Sequence, residues 1–311
     1  MRFKIFISLL SVALCFNTPA LAQDPNEEEG VRGSFLSSRA DVTAAAGVGG
    51  ASKDNRRTRR KPSAPRGRKT EAASGTKGAS TNVAKHATGT SGGNKSVKNL
   101  KVTRIGLGYT LYMRDANGDP VRVDPSREFR AGDRIRISLE TNTDGYLYVF
   151  HTENNGEPVM IFPDQRLDAG DNFVEAHVPY EIPWSGETDE RLRWFVFDDK
   201  PATERLYIVL AREPLPGVPT GENLVTYCRT NQGGCPWRPA SAMWTQVRVN
   251  SQAKAVVDKS ESYGQAQTER EREATTRGLG LDQSAPEPSV IRMNVSATAP
   301  VLVTALDLIH K

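Results

Sequence analysis

Residues 134–162 read RIRISLETNTDGYLYVFHTENNGEPVMIF, and this stretch decides the fold. Ile135, Ile137 and Leu139 alternate with Arg134, Arg136, Ser138 and Glu140, the period of two expected of a strand with an apolar inner and a polar outer face. Asp144-Gly145 turns the chain. Tyr146 to Phe150 is apolar on both faces, which suits a central strand. Asn155-Gly156 makes the next hairpin, Val159 to Phe162 returns, and Pro163, lacking an amide proton, stops it.

The same grammar continues on both sides. Upstream, Ile105, Leu107, Tyr109, Leu111 and Met113 recur at every second residue. Asn117-Gly118 follows as a type I′ hairpin signal, whose two central residues must accept positive φ. Val121 and Val123 begin the return strand. Downstream, Asn172 to Val178, Leu192 to Phe197 and Leu206 to Ala211 read as further strands. About eight short strands joined by turn residues predict an all-β fold, an antiparallel β-sandwich over residues 101–216. Trp184 and Trp194 are expected in core or rim packing.

The flanks differ in composition. Arg2 and Lys4 precede an apolar run from Ile5 to Phe16, and Ala20-Leu21-Ala22 supplies small residues at a cleavage site. This predicts a signal peptide over 1–22 and a mature chain from Gln23; the run is too short for a membrane anchor. A lipidated Cys15 is the competing reading, although Leu14 is not the small residue such a site wants. Residues 23–100 hold 15 basic and 7 acidic groups, residues 101–250 hold 17 and 22, and residues 251–311 hold 7 and 8. The first of these zones is rich in Gly, Ser, Ala and Thr, with no periodic apolar face, and is expected to be a disordered basic linker. Within it Arg56, Arg57, Arg59, Arg60, Lys61, Arg66, Arg68 and Lys69 form a candidate polyanion-binding cluster. Export makes nucleic acid an unexpected partner. An envelope protein or an anionic envelope polymer is the expected one, with a plain solvated spacer as the alternative.

Beyond Pro216, residues 217–250 are expected to form a disulfide loop and an extra strand from Trp244 to Val249. With Cys15 removed, Cys228 and Cys235 are an even pair in an oxidising compartment and read as a local disulfide. Residues 251–288 read as a polar linker with a short helix near Glu269 to Arg277. Residues 289–311, rich in Val, Ile and Leu, are expected to return as a strand or hairpin that completes a sheet edge.

Four stretches of this sandwich resemble the bacterial family named domain of unknown function 4384. They are Phe129-Arg130-Ala131-Gly132-Asp133-Arg134-Ile135-Arg136; Asn142-Thr143-Asp144-Gly145-Tyr146-Leu147-Tyr148-Val149; Gly156 with Ile161-Phe162-Pro163; and Glu204-Arg205-Leu206-Tyr207-Ile208-Val209-Leu210 before Pro214-Leu215. The resemblance covers about residues 107–216. It implies a β-sandwich module, often in exported or envelope-associated proteins, with a binding or assembly role and no agreed catalytic residues. Tyr146 and Tyr148 point to one face and are a candidate binding face.

Catalytic constellations are not apparent in the sequence. His86, His151, His177 and His310 make no ligand spacing and are expected on the surface or rim. Asp115-Ala116-Asn117-Gly118-Asp119 imitates a calcium loop, but Pro120 and Ser126 stand where glycine and glutamate belong. Asp198-Asp199, near Asp189 and Glu190, reads as a solvated loop. No cofactor is expected. The expected function is that of an exported, non-catalytic module of the bacterial envelope, in the periplasm or at the cell surface. Its alternatives are a glycan- or peptidoglycan-binding module, with Trp184 or Trp237 stacking on sugars, and an unrecognised hydrolase.

Overall fold

The computed structural model describes residues 30–40, 104–231 and 235–311. The expected signal peptide over 1–22 and the basic cluster from Arg56 to Lys69 lie outside the described residues. In chain order the elements are α1 (Gly30–Leu36), β1 (Gly106–Arg114), β2 (Pro120–Arg122), β3 (Glu128–Phe129), β4 (Arg134–Thr141), β5 (Gly145–Glu153), β6 (Val159–Phe162), β7 (Phe173–Val174), β8 (Tyr180–Ile182), β9 (Phe195–Val196) and β10 (Ala202–Ala211). Then come α2 (Gly221–Thr230), α3 (Ser241–Ser251), β11 (Ala255–Lys259), α4 (Glu269–Arg277), β12 (Val290–Asn294) and β13 (Val301–His310).

The strands form two sheets. The first has the order β11-β12-β1-β4-β8, with β2 beside β1 and β9 beside β4; the second has β3-β13-β10-β5-β6, with β7 beside β5. Every pairing is antiparallel except that of β3 with β13. The alternating residues meet between the sheets as expected: Leu107 and Leu111 of β1, Ile137 of β4, Leu147 and Val149 of β5 and Ile208 of β10 lie in one buried cluster. β5 is an interior strand, flanked by β10 and β6.

The turns depart from the expected pairs by one residue. In the β1–β2 connection only Gly118 is left-handed (φ 94°), and its amide donates to Asp115 O at 3.1 Å, so the hairpin needs one left-handed residue rather than two. In the β5–β6 connection Asn154 (φ 50°) and Asn155 (φ 58°) are both left-handed, and Gly156 N–H donates to Glu153 O at 2.7 Å. The turn is therefore centred on Asn154-Asn155, with Gly156 after it.

Neither sheet leaves its outer face to solvent. Outside the second sheet, Tyr148, Phe150, Tyr207 and Val209 pack with Leu224 and Cys228 of α2 and Val247 of α3. Outside the first, Arg136 and Glu140 of β4 are only 4% exposed, although the alternation had placed them toward water. The reason is that residues 30–40 and 260–289 lie over them, while Arg39 supplies the counter-charge of Glu140 and Glu181 of the adjacent β8 that of Arg136. Arg39 Nε and Nη2 donate to Glu140 at 2.8 and 2.6 Å, and Arg122 is paired with Glu271 of α4. Arg136 stands 3.4 Å from Glu181.

Three expectations are thereby corrected. Residues 30–40, assigned to the disordered linker, form a docked helix and turn in which Phe35 is fully buried. The strand expected over Trp244–Val249 is the helix α3, because Met243, Trp244 and Val247, at helical spacing, face the sheet together, Trp244 meeting the Phe150 and Tyr207 rings edge-on. The polar linker 251–288 contains β11 and α4 and covers the first sheet; α4 occupies the helix expected over Glu269–Arg277. The two C-terminal strands return to the sandwich in different sheets: β12 is interior, between β11 and β1, whereas β13 forms the edge of the second sheet along Val301–Leu308, as expected, with β3 beside it only at Ile309 and His310.

Candidate binding cleft

A cleft of about 500 Å³ opens where the edge of the second sheet meets the loops after β8. One wall is β6 and the 163–167 turn, the other is the 182–195 segment, and Cys235-Pro236-Trp237 closes one side. Three tryptophans line it: Trp184, Trp194 and Trp237.

Each indole is held by a different local device. Trp237 follows Pro236 and Cys235, which is bonded to Cys228 of α2 with a Cα–Cα distance of 4.9 Å. Its carbonyl accepts the Met160 amide at 2.8 Å, so this segment satisfies part of the free edge of β6. Trp184 follows β8, and its ring lies against Gly186, where any Cβ would overlap the indole. Trp194 forms buried wall, 8% exposed, with the Arg136 guanidinium 4.3 Å from its ring centroid.

Two arginines of the rim are each paired with an aspartate, while Glu187 accepts the Thr188 amide. Arg166 Nε lies 2.9 Å from Asp164 Oδ2, and Arg191 Nη2 lies 2.8 Å from Asp189 Oδ2. The hydrogen bonds from the Arg191 side chain and amide hold the Asp189 carboxyl down at about 2. Among the described residues lining the cleft there is no histidine and no free thiol. The arrangement offers aromatic faces, apolar wall and oriented ion pairs.

The tyrosine face lies elsewhere. Tyr148 is fully buried beneath α2 and α3, and its hydroxyl accepts the Leu215 amide at 2.9 Å; burial raises its pKa. Tyr146 is partly covered and packs edge-on against Phe173 at 5.5 Å. Cys228 and Cys235 form the expected disulfide. The Asp115 carboxylate is spent on the amides of Asn117 and Asp119, at 2.9 and 2.8 Å, as a hairpin tip.

His177 and His310 correct the expectation of surface or rim positions, while His86 lies outside the described residues. His177 is 5% and His310 2% exposed, and His151 is half-buried against Glu204. His177 adopts φ 58°, pinned by its amide on Thr141 O at 2.7 Å, and the 30–40 segment covers it. Its Nδ1 meets Glu140 Oε1 and its Nε2 meets Ser38 Oγ, both at 2.7 Å. A serine, a histidine and a carboxylate in series have the order of a hydrolytic triad, which sequence reading missed because residue 38 is far from the rest. Here Arg39 takes both Glu140 oxygens, Ser38 also donates to Phe35 O at 3.0 Å, and none of the three lines the cleft. The trio fastens the N-terminal segment.

No helix among the described residues is long and apolar enough to cross a membrane. No curated protein and no solved structure matches the chain. The segment from β3 to the turn after β10, residues 128–214, matches the family described as Domain of unknown function (DUF4384), and it carries the Trp184 wall of the cleft while Trp237 lies beyond it.

Proposed function

We propose that the chain is an exported β-sandwich module of the bacterial envelope that binds a glycan, of the kind found in peptidoglycan, in the tryptophan-lined cleft. The observation that carries this reading is that Trp184 and Trp237, 53 positions apart, line the same opening, half-exposed. Sugar rings present flat C–H faces that stack on indoles, and their hydroxyls suit paired carboxylate and guanidinium groups. The internal pairing of Arg166 with Asp164 and of Arg191 with Asp189 favours an uncharged polar ligand over an anion. The Cys228–Cys235 bond is consistent with an oxidising compartment. The basic cluster between residues 53 and 69 would add attraction to an anionic envelope polymer, weakened by salt.

Titration of the full chain with soluble peptidoglycan fragments, followed by tryptophan fluorescence and calorimetry, tests the reading. Trp184→Ala and Trp237→Ala should each weaken binding at least tenfold. Equal affinity of both variants and the native chain, or no heat with any glycan, would overturn it.

A further inference from the structure

Residues 30–40 touch the rest of the molecule as a ligand touches a receptor. Phe35 enters a notch over β1 that exists because positions 106 and 108 are glycine. A Cβ at Gly106 would stand 2.8 Å from the Phe35 ring, and one at Gly108 would stand 3.2 Å from it and 2.5 Å from Pro288. The edge of the Phe35 ring meets the His177 imidazole at 5.6 Å and 86°. Three and four residues on, Ser38 bonds His177, and Arg39 forks onto Glu140 while its remaining nitrogen donates to Ala285 O at 2.9 Å. Arg32 adds a surface pair with Asp258 at 2.7 Å. Aromatic, hydroxyl and guanidinium thus sit at i, i+3 and i+4, each opposite a complementary group.

We propose that the outer face of the first sheet is a peptide-docking surface reading Phe-x-x-Ser-Arg, that residues 30–40 are its tethered ligand, and that the partner it fits is the same segment of a second copy of this chain. The receptor is worth filling at all times. Without the segment, Glu140 loses both bonds from Arg39 and keeps the one to His177, and the glycine notch is empty. The 63 residues between positions 40 and 104 can span at most about 200 Å, so the same contacts are reachable on the chain's own domain or on a neighbour's. Such exchange of an identical element creates no new interface chemistry. A tether of this length holds its ligand at an effective concentration on the order of mM at most, so own-domain docking prevails in dilute solution and exchange sets in as chains are crowded together.

Two full-length variants decide the matter. Phe35→Ala/Arg39→Ala spoils the ligand and leaves the receptor; Gly108→Val spoils the receptor and leaves the ligand. Mixed in equal amounts, they should form a one-to-one complex by gel filtration that neither forms alone. A labelled peptide of residues 29–41 should bind the Phe35→Ala/Arg39→Ala chain at least tenfold more tightly than the native chain, whose own segment competes. The same peptide with its phenylalanine replaced by alanine should lose that gain. If Gly108→Val does not fold, the peptide titration alone decides. No peptide gain overturns the proposal. So does failure of Phe35→Ala/Arg39→Ala to fold, because the segment would then be a part of the core and not a ligand.

Discussion

The pair Arg122–Glu271 offers a measurable account of how residues 260–289 are held to the first sheet. The Arg122 side chain is 2% and that of Glu271 10% exposed. Glu271 Oε1 accepts from Arg122 and from the Tyr112 hydroxyl at 2.8 Å, while Oε2 accepts the Thr268 amide at 2.8 Å in the capping box of α4. Glu271→Ala strands a buried guanidinium, which costs about 3–5 kcal/mol, and removes a cap that contributes about 1 kcal/mol. The sum is a large fraction of a typical domain's stability of roughly 5–15 kcal/mol. Arg122→Met alone strands the carboxylate and should cost about 3 kcal/mol. Arg122→Met/Glu271→Leu leaves neither charge unpaired, so the double variant should lie well above the sum of the singles, with a coupling of about 2–3 kcal/mol. Urea unfolding of the four proteins, followed by circular dichroism, gives the cycle. Singles costing under about 1 kcal/mol, or additivity within about 0.5 kcal/mol, would refute the claim that this charge pair is dry.

Three further outcomes are expected. Burial raises the Tyr109 hydroxyl to about 12, whereas an unfolded tyrosine ionises near 10, so its contribution is intact below pH 10 and falls away between pH 10 and 12 by about 3 kcal/mol; urea melts across that window, with ultraviolet titration of the tyrosines, check it. Reducing Cys228–Cys235 should cost about 2.5 kcal/mol on a chain-entropy account and loosen Trp237, so thermal melts and fragment titrations with and without reductant should both shift; an unchanged affinity would separate the bond from the cleft. Gly186→Ala should swing the Trp184 indole off its seat, changing the fluorescence spectrum and weakening glycan binding several-fold while the melting temperature stays nearly constant. A spectrum identical to that of the native chain would count against that packing.

The strands that pair across the core were legible because apolar packing on one face, opposite a face of charged and polar side chains, imposes a period of two, as in β4, and apolar packing on both removes it, as in β5. The outer layers were not. Trp244-Thr245-Gln246-Val247-Arg248-Val249 places two valines two apart, yet Val249 is 57% exposed and the working spacing is the three and four residues from Trp244 and Met243 to Val247. β11 is AVVDK, with Val256 and Val257 both outward at a sheet edge, so no alternation marks it. Residues 30–40 bring a single aromatic side chain, which no window average can distinguish from a linker. Nothing local announces that Phe35 has a glycine notch waiting seventy positions downstream. The cleft was half legible: Trp184 and Trp237 were marked as stacking candidates, but their convergence depends on the β6 edge and the disulfide.

The position of β13 at the end of the chain governs when this protein can become folded. Its ten residues pair with β10 from Val301 to His310 and with β3 at Ile309 and His310, and Leu302, Leu306 and Leu308 enter the core. A chain made from its N-terminus has β3 and β10 available long before it has the strand that separates them. The second sheet therefore lacks the partner that β10 has along its whole length until position 310 has been synthesised, and the pairing with β3 spans some 180 residues. A chain stopped near residue 300 loses the strand that pairs with β10 over ten residues and brings Leu302, Leu306 and Leu308 to the core, not a dispensable tail.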